Sequence, residues 1–311
     1  MLQDATALAF AKFDNLANAS YPFFLRGKFM SLKYKNFDTN ELEEFKQFQK
    51  SSYETLEEVA SQLQEGMTEI AVARMIRKKF HEQGVHTYFH VPVALFGERT
   101  SYPGNFGQFE ALSTEQKLED GMAIILDAAP IYEGHIVDTS LSTTFGENQT
   151  HAMLHPQLEV FRDTLLEQVK LRRDFKDIEI HINSMIEDLG YENCHRKHIG
   201  EVIGHRIYKV KDRIWNRISF KQISIRHVLW LAWKSIAAVK KWQNDSPNWN
   251  HRRTSAHKPS VGLWAVEPHF AIDGVGVKFE EIMVITEESA YWLDNNLPHT
   301  NAWEKDNLVT S

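Results

Sequence analysis

Residues 121–146, GMAIILDAAPIYEGHIVDTSLSTTFG, read as a β-hairpin built around two aspartates, Asp127 and Asp138. The apolar run Met122–Leu126 and the β-branched run Ile136–Thr139 supply the strands. Cross-strand partners in a hairpin have residue numbers with a constant sum. If Asp127 faces Asp138, the turn falls at Tyr132-Glu133, with Gly134 beside it to supply a backbone conformation that other residues resist. The two carboxylates then lie directly opposite one another on one face, roughly 5 Å apart. Like charges that close repel unless a proton or a cation sits between them, and a metal ion is the simplest answer. The alternative places one or both aspartates on a solvated face or in a turn. Asp127 follows four apolar residues at the end of a core strand, which weighs against it.

Composition narrows the setting. A chain of 311 residues is one large domain or two ordinary ones. A net charge of −7 gives no reason to expect nucleic acid, and none is expected as a partner. The only cysteine, Cys194, leaves neither a disulfide framework nor a thiolate metal cage. The first residues carry Asp4 and no basic stretch, so they do not read as a secretory signal. No uninterrupted apolar run reaches about 18 residues, so no spanning helix is expected. The cytoplasm is the expected compartment.

Residues 1–37 read as an N-terminal arm. A helix capped by Asp38 or Thr39 runs towards Gly66, with Phe45, Phe48, Tyr53, Leu56, Val59 and Leu63 apolar. Thr68 caps a second helix that stops at Gly84. The two are most simply a layer over a sheet. Tyr88–Phe96 is strand-like, although Pro92 argues for an edge or a bulge. Pro156–Val169 and Ile178–Leu189 read as further helices. His195, His198 and His205 then cluster among Gly200 and Gly204. Any one of them alone would be structural, whereas three together point as much to a site.

Residues 206–258 differ in composition. They hold 13 Lys/Arg against two acids, and five of the eight tryptophans: Trp215, Trp230, Trp233, Trp242 and Trp249. Within them Arg226–Trp242 suits a helix. The segment reads as an insertion that packs on the body, over the mouth of a site or at a subunit interface, with a weak contact to an anionic membrane surface as the lesser alternative. Strand-like patterns return at 261–270 and 277–286. Glu267 and Glu280 each sit inside one, where a glutamate is rarely left unpaired. A cross-strand ion pair with Lys278 is the bland explanation.

The candidate ligands are therefore Asp127, Asp138, His198, Glu267 and Glu280. Four carboxylates and one imidazole are too oxygen-rich for structural zinc. They suit manganese or iron(II), with cobalt or zinc as alternatives. Four carboxylates would roughly neutralise two divalent cations, and such a centre polarises a carbonyl and activates a nucleophile.

In this order the residues resemble the pita-bread metallopeptidases, the family of methionine aminopeptidase, aminopeptidase P, prolidase and creatinase. Asp138 is followed by Thr-Ser-Leu-Ser-Thr-Thr-Phe-Gly, similar to the family's Asp-x-Thr-Arg-Thr stretch. His198 and His205 are spaced as in its Gly-rich histidine segment. Val266-Glu267-Pro268 matches its Glu-Pro motif, and Gly276-Val-Lys-Phe-Glu280 matches its last strand. The resemblance spans about residues 41–287. It implies an α+β pita-bread fold, a curved and mostly antiparallel sheet covered by helices, in a catalytic domain of residues 38–290. Residues 206–258 interrupt this domain and 291–311 form a tail. It implies a two-metal hydrolase acting on a short peptide, an N-terminal residue or a small amide. A non-peptide substrate or a non-catalytic binding role is the alternative, and a homodimer is a further expectation. Asp127 would bind one metal, Asp138 and Glu280 would bridge both, and His198 and Glu267 would complete the shells. Glu267 would also shuttle a proton, and His205 would bind the substrate carbonyl.

The chain departs from the family pattern in three places. Gly104 stands where an upstream substrate-contacting histidine belongs, and His90 is the candidate to replace it. Residues 206–258 fill what is normally a short connection. The extra N-terminal domain of aminopeptidase P, prolidase and creatinase has no counterpart in residues 1–37.

Overall fold

The computed structural model describes residues 32–104, 111–198, 200–210, 219–220, 223–224, 246–301 and 303. The helix expected after Asp38 is Thr39–Ala60. Its N-terminus is closed by a reciprocal capping box between Asp38 and Glu41. Thr68 caps Glu69–Glu82 through the Ala71 N–H. Three more helices follow at Gln149–Leu154, Gln157–Lys170 and Phe175–Asp188. The first of these is too short to show an apolar period, and its visible signal was Asn148, which caps the His151 N–H at 2.8 Å. The last starts at Phe175 rather than Ile178, because Asp174 is still extended and Phe175 is already buried.

All strand pairings among the described residues are antiparallel. Strand alternation sorts the core into two layers. In Gly262–Val266, Leu263 and Ala265 join one apolar cluster while Trp264 and Val266 join the other. Glu281–Ile285 does the same, with Ile282 and Val284 on one side and Met283 and Ile285 on the other. The first cluster is roofed by Phe45, Leu56, Val72, Ile76 and Phe80 from the two leading helices. The second is roofed by Leu158, Phe161, Leu165, Ile178, Ile182 and Ile186 from the later ones. The central sheet is thus covered by helices on both faces.

The hairpin forms, but in a different register. Asp127 pairs with Ser140, and the series continues through Ile131 with Ile136 and Tyr132 with His135. The turn is therefore Glu133-Gly134, not Tyr132-Glu133. Both turn residues have positive φ, 49° and 91°, the backbone of a two-residue type I′ hairpin. Asp138 does not face Asp127 directly but lies diagonal to it. The shift moves the partner by two residues, so both aspartates keep the same face. Only Val93–Phe96 of the expected strand Tyr88–Phe96 pairs as a strand, directly after Pro92.

The insertion expected at 206–258 falls largely outside the described residues, as do Trp215, Trp230, Trp233, Trp242 and the helix at 226–242. Its described end, Asn248–Trp249, pairs with Gly204–Ile207, and Trp249 is buried against Phe175 with ring centroids 4.2 Å apart. No helix among the described residues is long and apolar enough to cross a membrane.

Gly134 carries the hairpin against the strand at Lys209–Val210: its carbonyl accepts from the Val210 N–H at 2.7 Å, and a Cβ would lie 2.3 Å from the Val210 oxygen. With its φ of 91°, Gly134→Ala should cost about 1–3 kcal/mol. Urea unfolding with an unchanged m-value would read this loss. A variant as stable as wild type would show that this turn does not anchor the hairpin.

Candidate metal centre

The site lies where strands leave one sheet for another. Asp138 falls between His135–Ile136 of a four-stranded sheet and Thr139–Phe145 of a three-stranded one. Glu267 and Pro268 separate Gly262–Val266 of the five-stranded sheet from His269–Ile272 of another three-stranded sheet. Glu280 marks the return from Val275–Lys278 to Glu281–Ile285. His198 lies between Glu192–Asn193 and Gly204–Ile207, across the same pair of sheets. At such points the backbone loses ladder partners, and other groups replace them. The Glu267 N–H donates to the Ile203 carbonyl at 2.8 Å, and the Tyr53 hydroxyl donates to the Glu280 carbonyl at 2.7 Å. The side chains then point into the seam between sheets.

Two groups of potential ligand atoms converge to within 4.8 Å: His90, Asp127 and Asp138, and Asp138, His205 and Glu280. Asp138 belongs to both. His90 Nε2 is 3.0 Å from Asp138 Oδ1 and 3.5 Å from Asp127 Oδ1. His205 Nε2 is 3.3 Å from Asp138 Oδ2 and 3.5 Å from Glu280 Oε1. Neither group includes His198 or Glu267, which adjoin each other, with Nδ1 3.0 Å from Oε2. The ion pair weighed from sequence is also present. The Lys278 ammonium reaches Asp127 at 2.8 Å, Glu267 at 3.1 Å and Glu280 at 3.3 Å. Asp138, Glu280 and Lys278 are almost fully buried.

Charge sorts the site. Burial opposes ionisation of Asp138, but His90 and His205 outweigh it and hold the carboxyl at about 2. Burial likewise opposes the charge on His90, and Asp138 and Asp127 lift it to about 10. Glu280 goes the other way: burial, with Asp138 and Glu267 nearby, raises it to about 8 despite Lys278. For Glu267 burial is overcome by His198 and Lys278, which hold it well below the carboxylate range. Four acids thus balance against Lys278 and the neighbouring histidines. The donor set fits divalent cations: it is oxygen-rich, its atoms converge, and buried Asp127 Oδ1 makes no hydrogen bond.

The three clustered histidines separate. His198 and His205 line the site, whereas His195 is fully buried beside Asn183, with Nε2 2.8 Å from Oδ1, and burial pushes it down to about 3. Gly104 has a φ of 63° and directly precedes residues outside the description. His269 was missed. It lies two residues after Glu267, and its Nδ1 is 3.0 Å from His198 Nε2. Burial, His198 and Lys278 hold it well below the usual histidine range. The signal was one polar residue in an apolar strand beside the Glu-Pro pair. Phe89, stacked on His205 at 5.3 Å, and Tyr102, tilted over His198 at 5.4 Å, also went unremarked as walls of the site.

Antiparallel sheets between two helical layers, with carboxylates and histidines gathered at the sheet junctions, have the architecture of the pita-bread class. Metallopeptidase family M24 matches residues 43–287, and the chain belongs to that family. An uncharacterized peptidase of Staphylococcus aureus (strain USA300) is 23% identical over 153 residues, covering 49% of this chain and 42% of the relative. The chain therefore spans less than half the length of the curated relatives it matches. An X-Pro aminopeptidase from Thermotoga maritima MSB8 superposes with a TM-score of 0.61 at 20% identity, covering 85% of this chain and 63% of that one. Methionine aminopeptidase from Rickettsia prowazekii gives 0.52 at 14% identity, covering 83% and 99%.

Two outcomes follow for chelated protein. His90 titrates near 10 rather than its ordinary 6.5, so the stability it contributes is complete below about 6.5 and is lost as pH rises towards 10. Glu280, raised from 4.5 to about 8, adds a loss in the same direction. Thermal melts should therefore fall between pH 6.5 and 10, and His90→Gln should flatten that slope. Melts rising over this range would contradict the charge assignment. Lys278→Met removes one partner of a buried ionic cluster and should cost about 3–5 kcal/mol in chelated protein. Added Mn2+ should narrow the gap to wild type in the same unfolding assay.

Proposed function

We propose that the chain is a divalent-metal-dependent hydrolase, an aminopeptidase or dipeptidase that removes an N-terminal residue or cleaves a short peptide. The observation that carries this reading is the convergence of Asp127, Asp138, Glu267 and Glu280 with His90, His198 and His205 at one junction of sheets in a chain of family M24. Asp127, Asp138, His198, Glu267 and Glu280 are the proposed ligands, and by the family resemblance Asp138 and Glu280 would serve both cations. Manganese or iron(II) is the proposed metal on ligand chemistry. The bound cations supply Lewis acidity towards the scissile carbonyl and favour a nucleophile at neutral pH.

The protein's own groups do the rest. Glu267, kept ionised by its cationic neighbours, takes a proton from the attacking water and returns it to the leaving amine. His205 lies between Asp138 and Glu280; against burial, their carboxylates raise it well above the usual histidine range, and it is the proposed donor to the developing oxyanion. His90 is the proposed replacement for the substrate-contacting histidine displaced by Gly104. Phe89 and Tyr102 form apolar walls beside these donors.

The remaining assignments are proposed on sequence grounds: residues 38–290 as the catalytic domain, 1–37 as an arm, 206–258 as an insertion at a mouth or subunit interface, and 291–311 as a tail. A cytoplasmic homodimer is proposed, with any contact to anionic membrane surfaces weak and confined to 206–258.

The test is a panel of short peptides, with free and acetylated N-termini, assayed after chelation and reloading with Mn2+, Fe2+ or Co2+. Wild type should cleave members with a free N-terminus. Asp138→Ala should lower kcat/KM by more than about 100-fold, the loss typical of removing even an outer partner of a metal site. Wild-type protein inert towards every peptide with all three metals would end this reading.

A further inference from the structure

Residues 246–257 close the segment proposed as an insertion, and they lie against the stretch that carries His205. Asn248–Trp249 is the edge strand beside Gly204–Ile207, with Asn248 opposite His205. The Ile203 N–H donates to the Trp249 carbonyl at 3.0 Å and the Arg206 N–H to the Pro247 carbonyl at 2.8 Å, so backbone bonds bracket His205. The strand is anchored in turn. The indole N–H of fully buried Trp249 donates to the Phe175 carbonyl at 2.8 Å, and the Phe175 N–H donates to the His257 carbonyl at 3.0 Å. Both ends of this strap are therefore tied to the first residue of the helix Phe175–Asp188.

Between His198 and this pairing the chain turns through two left-handed residues, Gly200 with a φ of 82° and Glu201 with a φ of 53°. Glycine adopts that backbone freely, whereas the Cβ of glutamate resists it, so the turn persists only where its surroundings hold it. Asn250 supplies the hold. It is buried, its Nδ2 donates to the Gly200 carbonyl at 3.1 Å, and its Oδ1 accepts from the Arg252 N–H at 3.1 Å. A carbonyl only accepts and a backbone N–H only donates, so both partners demand the same orientation of the amide. The Asn250 N–H is itself fixed by the Ser255 hydroxyl at 3.1 Å. Arg252 Nη2 then pairs with Glu201 Oε1 at 2.8 Å. On its other side the turn is closed by the Glu201 N–H, which donates to the His198 carbonyl at 2.9 Å.

We infer that Asn250 is a positioning residue for the metal centre: from the end of the 206–258 segment, its amide holds the strained Gly200-Glu201 turn and so sets where His198 stands relative to His205. This inference rests on the metal-centre reading above for the roles of the two histidines. The segment whose composition differs from the rest of the chain thus ends by building the site.

Calorimetric titration of the chelated, full-length protein with Mn2+ tests the inference through two variants. Asn250→Ala removes the amide. Asn250→Asp keeps an acceptor for Arg252 but sets a carboxylate oxygen against the Gly200 carbonyl. Both should bind Mn2+ about tenfold more weakly than wild type, the low end of what losing an outer partner costs a metal site. Adding Glu201→Gly, which relieves the left-handed turn, should bring Asn250→Ala back to within about threefold of wild type. Lost packing around residue 250 would not be repaired by that change. Either Asn250 variant binding as tightly as wild type would overturn the inference. So would a Glu201→Gly change that leaves the Asn250→Ala loss in place, since the strain of the turn would then play no part. Hydrogen exchange in the metal-free proteins reads the turn directly. The Glu201, Ile203 and Arg206 amides should exchange faster in Asn250→Ala and slow again with Glu201→Gly, while the helix Phe175–Asp188 stays as protected as in wild type. Exchange unchanged at those three amides, or equally fast in the helix, would overturn the positioning role. Wild-type protein that takes up no Mn2+ would overturn the metal-centre reading, and the exchange result would still decide whether Asn250 holds the turn.

Discussion

Four carboxylates share one buried junction, and the rest of the site follows from how their charge is met. An uncompensated carboxylate in a protein interior is too costly to persist as an ion. Here Lys278 contacts three of the four, and His90 and His205 brace Asp138. The division is uneven: Asp138 and Glu267 are held ionised while Glu280 is pushed towards its neutral form. Such a site is poised for exchange. Divalent cations would replace compensation that the protein otherwise supplies from its own side chains, and Lys278 is the group that must adjust most.

The architecture explains how a site of this kind can sit inside a core. Strands covered on both faces favour apolar residues and admit ionised ones only when paired, and Leu263, Trp264, Ala265 and Val266 are all fully buried and apolar. Polar side chains collect instead where the ladder is interrupted. Pro268, without an N–H, ends one ladder beside Glu267, and Glu280 and Asp138 occupy comparable breaks. Neighbouring residues can serve opposite sides of such a break. Glu280 faces the site, while Glu281 is held by Arg162 and His299, each at 2.8 Å.

Much of this was legible in the sequence, for identifiable reasons. Asp38, Thr68 and the apolar periods that follow them placed the first two helices, because caps and amphipathic spacing are local signals. The pairing of Asp127 with Asp138 was wrong in register yet right in face. Glu133 takes a positive φ that its side chain does not advertise, but the resulting shift was by two residues and preserved parity. Which of the three close histidines enter the site came from the family resemblance and not from local signals, since His195 and His198 flank one short 3-10 turn. His269 showed only as one polar residue in an apolar strand, because its partners, His198 and the Thr100 carbonyl, lie far away in sequence. Lys278 was read as a bland ion pair, and it is one, but with three carboxylates rather than one.

The central claim is that these carboxylates and histidines form a centre for divalent cations. The most direct measurement is anomalous X-ray scattering from crystals of the chelated protein soaked in Mn2+. The account predicts strong peaks bounded by Asp127, Asp138, Glu267 and Glu280, with the Lys278 ammonium withdrawn from at least one of its carboxylate contacts. Crystals that show no peak there, with Lys278 still in contact with Asp127, Glu267 and Glu280, would contradict it.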